Sequence, residues 1–133
     1  MTLGPNAEWV REAFARWNAG DRTAPIERMD PEVEIHTVIS GAFQGEPFRG
    51  HEGARAWLAG LDENFETWRL SPEEWLERGD TLVVLGQIHA RGRGSGIELD
   101  QPIAWVARFR AGKLLRLQTY FDHEEALTAG GIS

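Results

Sequence analysis

Residues 68–121, WRLSPEEWLERGDTLVVLGQIHARGRGSGIELDQPIAWVARFRAGKLLRLQTYF, decide the fold. Their apolar positions recur at every second residue, the period of a strand, and Gly-bearing breaks divide them. Trp68 to Glu77 reads as a strand, Gly79-Asp80 as a turn, and Thr81 to Arg91 as a strand. Gly92 to Gly96 (GRGSG) is a second turn and Ile97 to Arg110 a long strand. Ala111-Gly112 then makes a tight turn before the last strand, Leu114 to Phe121. Four consecutive strands joined by such short connections pair antiparallel as a meander.

Outside this stretch the period lengthens. Asn6 to Asn18 carries Trp9 or Val10, Ala13, Phe14 and Trp17 at helical spacing, with Asn6 placed to cap it. A short second helix is expected over Ala24 to Met29, stopped by Asp30-Pro31, because the residue before Pro disfavours the α region. Val33, Ile35 and Thr37 alternate with Glu34 and His36, so Glu32 to Val38 is a strand. Ser40 to Gly50 is a Gly-rich loop, and His51 to Phe65 a helix with Ala54, Trp57, Leu58 and Leu61 on one face. A short helix from His123 to Ala129 closes the chain.

This order gives an α+β domain with one layer of helices on a curved, mixed or antiparallel sheet. It is read as one domain over 1–133, with its core at about 6–129. Residues 82–85 and 103–107 are apolar on both faces, more than three short helices can cover. The outer face of the sheet is therefore expected to be a homodimer interface.

Composition excludes several functions. A net charge of -7 argues against a phosphate-binding face, so no nucleic-acid partner is expected. With no cysteine there is no disulfide, thiolate nucleophile or zinc-thiolate site. The four His lack metal-ligand spacing, so no metal or cofactor is expected. No signal-like or membrane-spanning apolar run is seen, which gives a cytoplasmic expectation with no membrane partner. Six Trp in 133 residues is the unusual feature; each alone reads as core, but several converging would line a ligand site.

The segments FARWNAGD, DPEVEIH, PFRGHEGARAWL, ERGDTLVVLGQ, RGRGSGIELD and FRAGKLLRLQTYFDHEEAL, in this order, resemble the SnoaL-like branch of the nuclear transport factor 2-like superfamily. The resemblance spans Phe14 to about Leu127. It implies a cone with a blind cavity, a sheet that commonly mediates dimerisation, and a small apolar ligand. Relatives of that fold include ketosteroid isomerase, polyketide cyclases, scytalone dehydratase and limonene epoxide hydrolase, besides binding proteins without chemistry.

Ketosteroid isomerase uses an Asp base with an oxyanion hole of a Tyr and a protonated Asp. By the resemblance, His36 falls at the position of the base, and an imidazole can carry a proton near neutral pH. The bland alternative is a His that only hydrogen-bonds at the strand end. Ala13 stands at the Tyr position and Trp105 at that of the protonated Asp, so the oxyanion hole is lost and steroid isomerisation by that route is not expected. An Asp-Arg-Asp set of the epoxide hydrolase kind cannot be assembled, since Asp100 faces away from Trp105 by parity.

With Trp105 inward, Ile103, Ala107 and Phe109 follow on the same strand. A three-residue loop over Arg110 to Gly112 would pair Trp105 with Leu117, placing Leu115, Leu117, Thr119 and Phe121 on that face. Trp17, Trp57 and Leu61 would complete the wall from the helices. On the third strand, matching Arg78-Gly79 to the family's turn sends Val83, Leu85, Gln87 and His89 inward, with Gln101 following. A one-residue slip at GRGSG would send them outward instead. Two functions remain open: a cofactor-independent isomerase, cyclase or lyase acting on a polyketide-, steroid- or terpenoid-like substrate through His36, and a non-catalytic binding or dimerisation module.

Overall fold

The computed structural model describes residues 4–21, 26–37 and 47–132. Helix α1 (Pro5–Asn18) starts on Pro5 at its first position, with Gly4 rather than Asn6 as the capping residue. Ala7, Val10, Ala13 and Trp17 form its buried stripe. Strand β1 (Met29–His36) begins on the last residue of the expected second helix, whose first residues, 24 and 25, lie outside the described residues. So does most of the Ser40–Gly50 loop, which ends in the two-residue strand β2 (Phe48–Arg49). Helix α2 (Gly50–Asn64) buries Ala54, Leu58 and Leu61 at spacings of four and three.

Strands β3 (Phe65–Arg78), β4 (Thr81–Gly92), β5 (Glu98–Arg110) and β6 (Lys113–Tyr120) form the meander. The six-stranded sheet has the order β2-β1-β6-β5-β4-β3. Among the described residues only β1 and β6 pair parallel. Register shifts at Pro72/Glu74 in β3 and Arg108/Phe109 in β5 bend the strands, as bulges do. Gly86 sits opposite the first shift, where a Cβ would lie 2.4 Å from the Ser71 carbonyl oxygen. Only glycine lets the strands approach there.

Helices α1 and α2 pack on the inner face of the sheet. At the end of α1, the Trp17 indole donates to the Trp68 carbonyl at 2.8 Å. The Asn18 amide bonds both the N–H and the C=O of Leu70, occupying edge groups of β3 that would otherwise be exposed. At the other end, Arg93 in the GRGSG turn donates to the Asp62 and Phe65 carbonyls, placing a cation at the C-terminus of α2.

The outer face carries a smaller cluster. Helix α3 (His123–Ala129) is capped by Asp122, which accepts from the Glu124 and Glu125 amides. It lays Ala126 and Leu127 on Val83, Leu85, Ala104 and Val106. His123 Nε2 lies 3.1 Å from both the Gly86 and Ile103 carbonyl oxygens and pins the helix to the sheet. The apolar residues that suggested a dimer interface are therefore covered by the chain's own last helix.

One polar cluster ties the parallel edge to the β5–β6 hairpin. Arg110 bonds Asp30 at 3.0 Å and Glu32 at 2.8 Å. The Glu32 amide and the Arg110 guanidinium hold the Asp30 carboxyl below the usual carboxylate range.

Candidate functional site: an apolar cavity under the sheet

Between the helices and the inner sheet face lies a cavity of about 80 Å³. Five of the six Trp line it: Trp9 and Trp17 from α1, Trp57 from α2, Trp68 from β3 and Trp105 from β5. The sixth, Trp75, packs on Phe14, whose ring also meets Trp105 at 4.9 Å. Such tilted aromatic pairs add about 0.5–1.5 kcal/mol each beyond their buried area, so the wall is stiff where these rings meet. Trp9, Phe14, Trp57 and Leu70 are only half-buried and mark its outer margin.

Most of the wall follows the expected parity. Trp17, Trp57, Leu61, Ile103, Trp105, Leu117 and Thr119 all line the cavity. The β5–β6 pairing differs in detail: Trp105 faces Thr119 rather than Leu117. Ala111 and Gly112 both take positive φ, so the hairpin has a two-residue loop, and a bulge at Leu115 supplies the remaining shift. The displacement is an even number, which keeps Leu117 and Thr119 inward. Leu115 is turned out by the bulge and borders an outer groove.

Three expectations are corrected. On β4 the even set faces inward: Val84 pairs with Trp105, while Val83 and Leu85 pair with Val106 and Ala104 on the outer face. An even number of residues separates Arg91 from its partner Glu98, so odd residues of β4 match even residues of β5. Gln87 and His89 follow to the outside. Gln87 approaches Glu73 at 3.5 Å, and His89 Nδ1 lies 2.6 Å from Asp100. Gln101 keeps the inner parity opposite Ile88 but is not a lining residue.

His36 is the second correction. Val33 and Ile35 are fully buried in the core and Thr37 lines the cavity, so the pleat turns His36 to the opposite face. Its Nε2 lies 3.2 Å from Glu34 Oε1, and its side chain is 30% exposed. The third is Phe121. β6 stops at Tyr120, the chain turns at Asp122 to place α3 outside, and Phe121 is left 40% exposed.

Sequence reasoning missed Thr37 as a wall residue. The alternation that buries Val33 and Ile35 was the signal for it. Thr119 donates to Thr37 at 3.4 Å, and among the described residues theirs are the only hydroxyls in the wall. Among the described residues no carboxylate, imidazole, ammonium or guanidinium lines the cavity. No group of three or more His, Asp or Glu among them is placed to hold a metal. None of their helices is long and apolar enough to cross a membrane.

Solved structures share this architecture. A protein of unknown function from Burkholderia pseudomallei, described as NTF2-like, superposes with a TM-score of 0.81 at 22% identity, over 96% of this chain and 98% of that one. TerC, crystallised with polyporic acid, gives 0.78 at 26% identity, over 94% and 99%. A Jannaschia protein assigned as a SnoaL-like polyketide cyclase gives 0.77 at 22%, over 100% and 99%. No curated protein matches the chain. The SnoaL-like domain model matches residues 10–117, the span that holds every wall residue of the cavity but Trp9 and Thr119, and the chain belongs to that family.

Proposed function

We propose that this SnoaL-like domain binds a small apolar molecule in its Trp-lined cavity and carries no acid–base group there. One observation carries the reading: five indoles converge on a wall where, among the described residues, Thr37 and Thr119 bring the only side-chain hydroxyls. Pockets for drug-sized ligands run to roughly 300 Å³ or more, and an apolar cavity of about 150 Å³ takes benzene. At about 80 Å³ this cavity is smaller than either, so even a single-ring ligand enters only as its half-buried margin moves outward. A cyclase-type enzyme is the second reading, favoured by the relative assigned as a polyketide cyclase and by TerC with its bound polyporic acid. It would need a proton carrier, and His36 lies on the wrong face for that role.

Native mass spectrometry of the purified protein, with and without Ala13→Leu, tests the first reading. Ala13 is buried in the wall, and leucine's isobutyl side chain in its place fills the space. A small molecule retained by the wild type and lost from the folded variant is the expected result. Failure of the wild type to take up toluene at saturating concentration contradicts it.

Homodimerisation through the outer sheet face belongs to the same proposal, on different grounds from those the sequence suggested. Arg108 and Arg116 are directly opposed across β5 and β6, and neither pairs with a carboxylate among the described residues. Opposed like charges destabilise a sheet. Glu32 and Glu34 border the same outer groove, so a second copy could bring carboxylates to both arginines.

A further inference from the structure

The wall also points to the charge and polarity of what it holds. We infer that the cavity selects a neutral, hydroxyl-bearing cyclic molecule, with its ring among the indoles and its O–H on the Thr37–Thr119 pair. This rests on the cavity being the ligand site.

Two observations carry it. First, among the described residues the elements that enclose the cavity (α1, α2, β1 and β3 to β6) present no titratable side chain to it. A charged ligand would leave water and find no counter-ion, and an unpaired charge in an apolar site is strongly disfavoured. The Arg28 guanidinium stacks on a wall residue, 5.5 Å from the Trp9 ring centroid, but does not itself line the space. Second, the polar groups are paired and local. Thr119 Oγ1 sits beside Trp105 in the ladder and donates to Thr37 Oγ1. A threonine oxygen accepts hydrogen bonds as well as donating one, so the pair can receive an O–H donor from a ligand. The Trp17 indole N–H already donates to the Trp68 carbonyl, so the hydroxyls are the better anchor. Selectivity then comes from one hydrogen bond plus the exclusion of charge.

Binding of toluene, phenol and 4-nitrophenol to the whole protein tests this, with Thr119→Val and Thr37→Val as variants. Phenol is expected to bind roughly 3- to 10-fold more tightly than toluene, the range of one net neutral hydrogen bond. Each valine variant is expected to erase that preference, and a wild-type-like circular dichroism spectrum and thermal melt report that its fold is intact. Above the pH at which 4-nitrophenol ionises, its yellow colour is expected to bleach on binding, as the dye takes a proton from solvent and enters in its neutral form. Three results overturn the inference while leaving the cavity reading standing: toluene binding as tightly as phenol, phenol preference surviving both valine variants, or the dye binding with its colour retained. If none of the three ligands binds, both readings fall.

Discussion

On the concave side of the sheet, Val84, Trp105 and Thr119 meet Trp17, Trp57 and Leu61 from the helices. On the other face, around the patch of Val83, Leu85, Ala104 and Val106 that α3 covers, stand Glu34, His36, His89, Arg108 and Arg116. The inner face holds the aromatic area and two hydroxyls; the outer face holds the ionisable groups. A single step of register separates a dry binding wall from a charged surface. The difference teaches that pleat parity, more than residue type, decides which histidines and arginines could ever touch a ligand here.

The comparison breaks most readily at Trp105. Trp105→Ala should cost about 3–5 kcal/mol in urea unfolding, as for other buried aromatic truncations. His89→Ala, which loses an exposed partner at Asp100, should cost less than about 1 kcal/mol. Equal losses would mean that the two faces are not energetically distinct.

A smaller effect is expected at the boundary between the faces, where Asp30 is buried beside Arg110. Its carboxyl is held low by the Glu32 amide first and Arg110 second. A group depressed in the folded state stabilises above its unfolded value, near 3.9, and loses that contribution as the pH falls through the native value. Wild type should therefore exceed Asp30→Asn in stability at neutral pH and converge on it below about pH 4. A gap between the two that persists unchanged into strong acid would show that the carboxylate's charge is not what matters.

Arg116→Gln sharpens the outer face. Relieving the cross-strand Arg pair should stabilise an isolated protomer by a few tenths of a kcal/mol, up to about 1. Light scattering should show weaker self-association than in the wild type. An unchanged dimer, or a chain that is monomeric in both forms, removes the dimer proposal. The smallest effect is predicted for His36→Ala, which should leave proton exchange at activated C–H bonds of test ketones at the wild-type level. A loss of exchange would restore the imidazole as an acid–base group.

The meander was legible because its turn chemistry and two-residue period are local, and β3 to β6 fall within a few residues of the sequence reading. The inner parity of β5 and β6 was legible too, since a two-residue hairpin plus one bulge moves the pairing by an even step. β4 was not. Its parity depends on how GRGSG closes, with the Gly92 amide bonded to the Ile97 carbonyl, and several glycines permit more than one closure. His36 was misplaced by reliance on an aligned position. The alternation of Val33 and Ile35 with Glu34 and His36 already paired the imidazole with the glutamate's face. The coverage of Val83 and Leu85 by α3 was hidden because seven residues cannot disclose from their own pattern which sheet face they will meet.

The central claim, an apolar ligand site on the inner face alone, is tested most directly by titrating toluene against the indole N–H and imidazole resonances in one NMR experiment. Saturable shifts of the Trp57 and Trp105 indoles, with the His36 and His89 rings unmoved, are predicted. Shifts confined to the histidines, or indole shifts that never saturate, would contradict it.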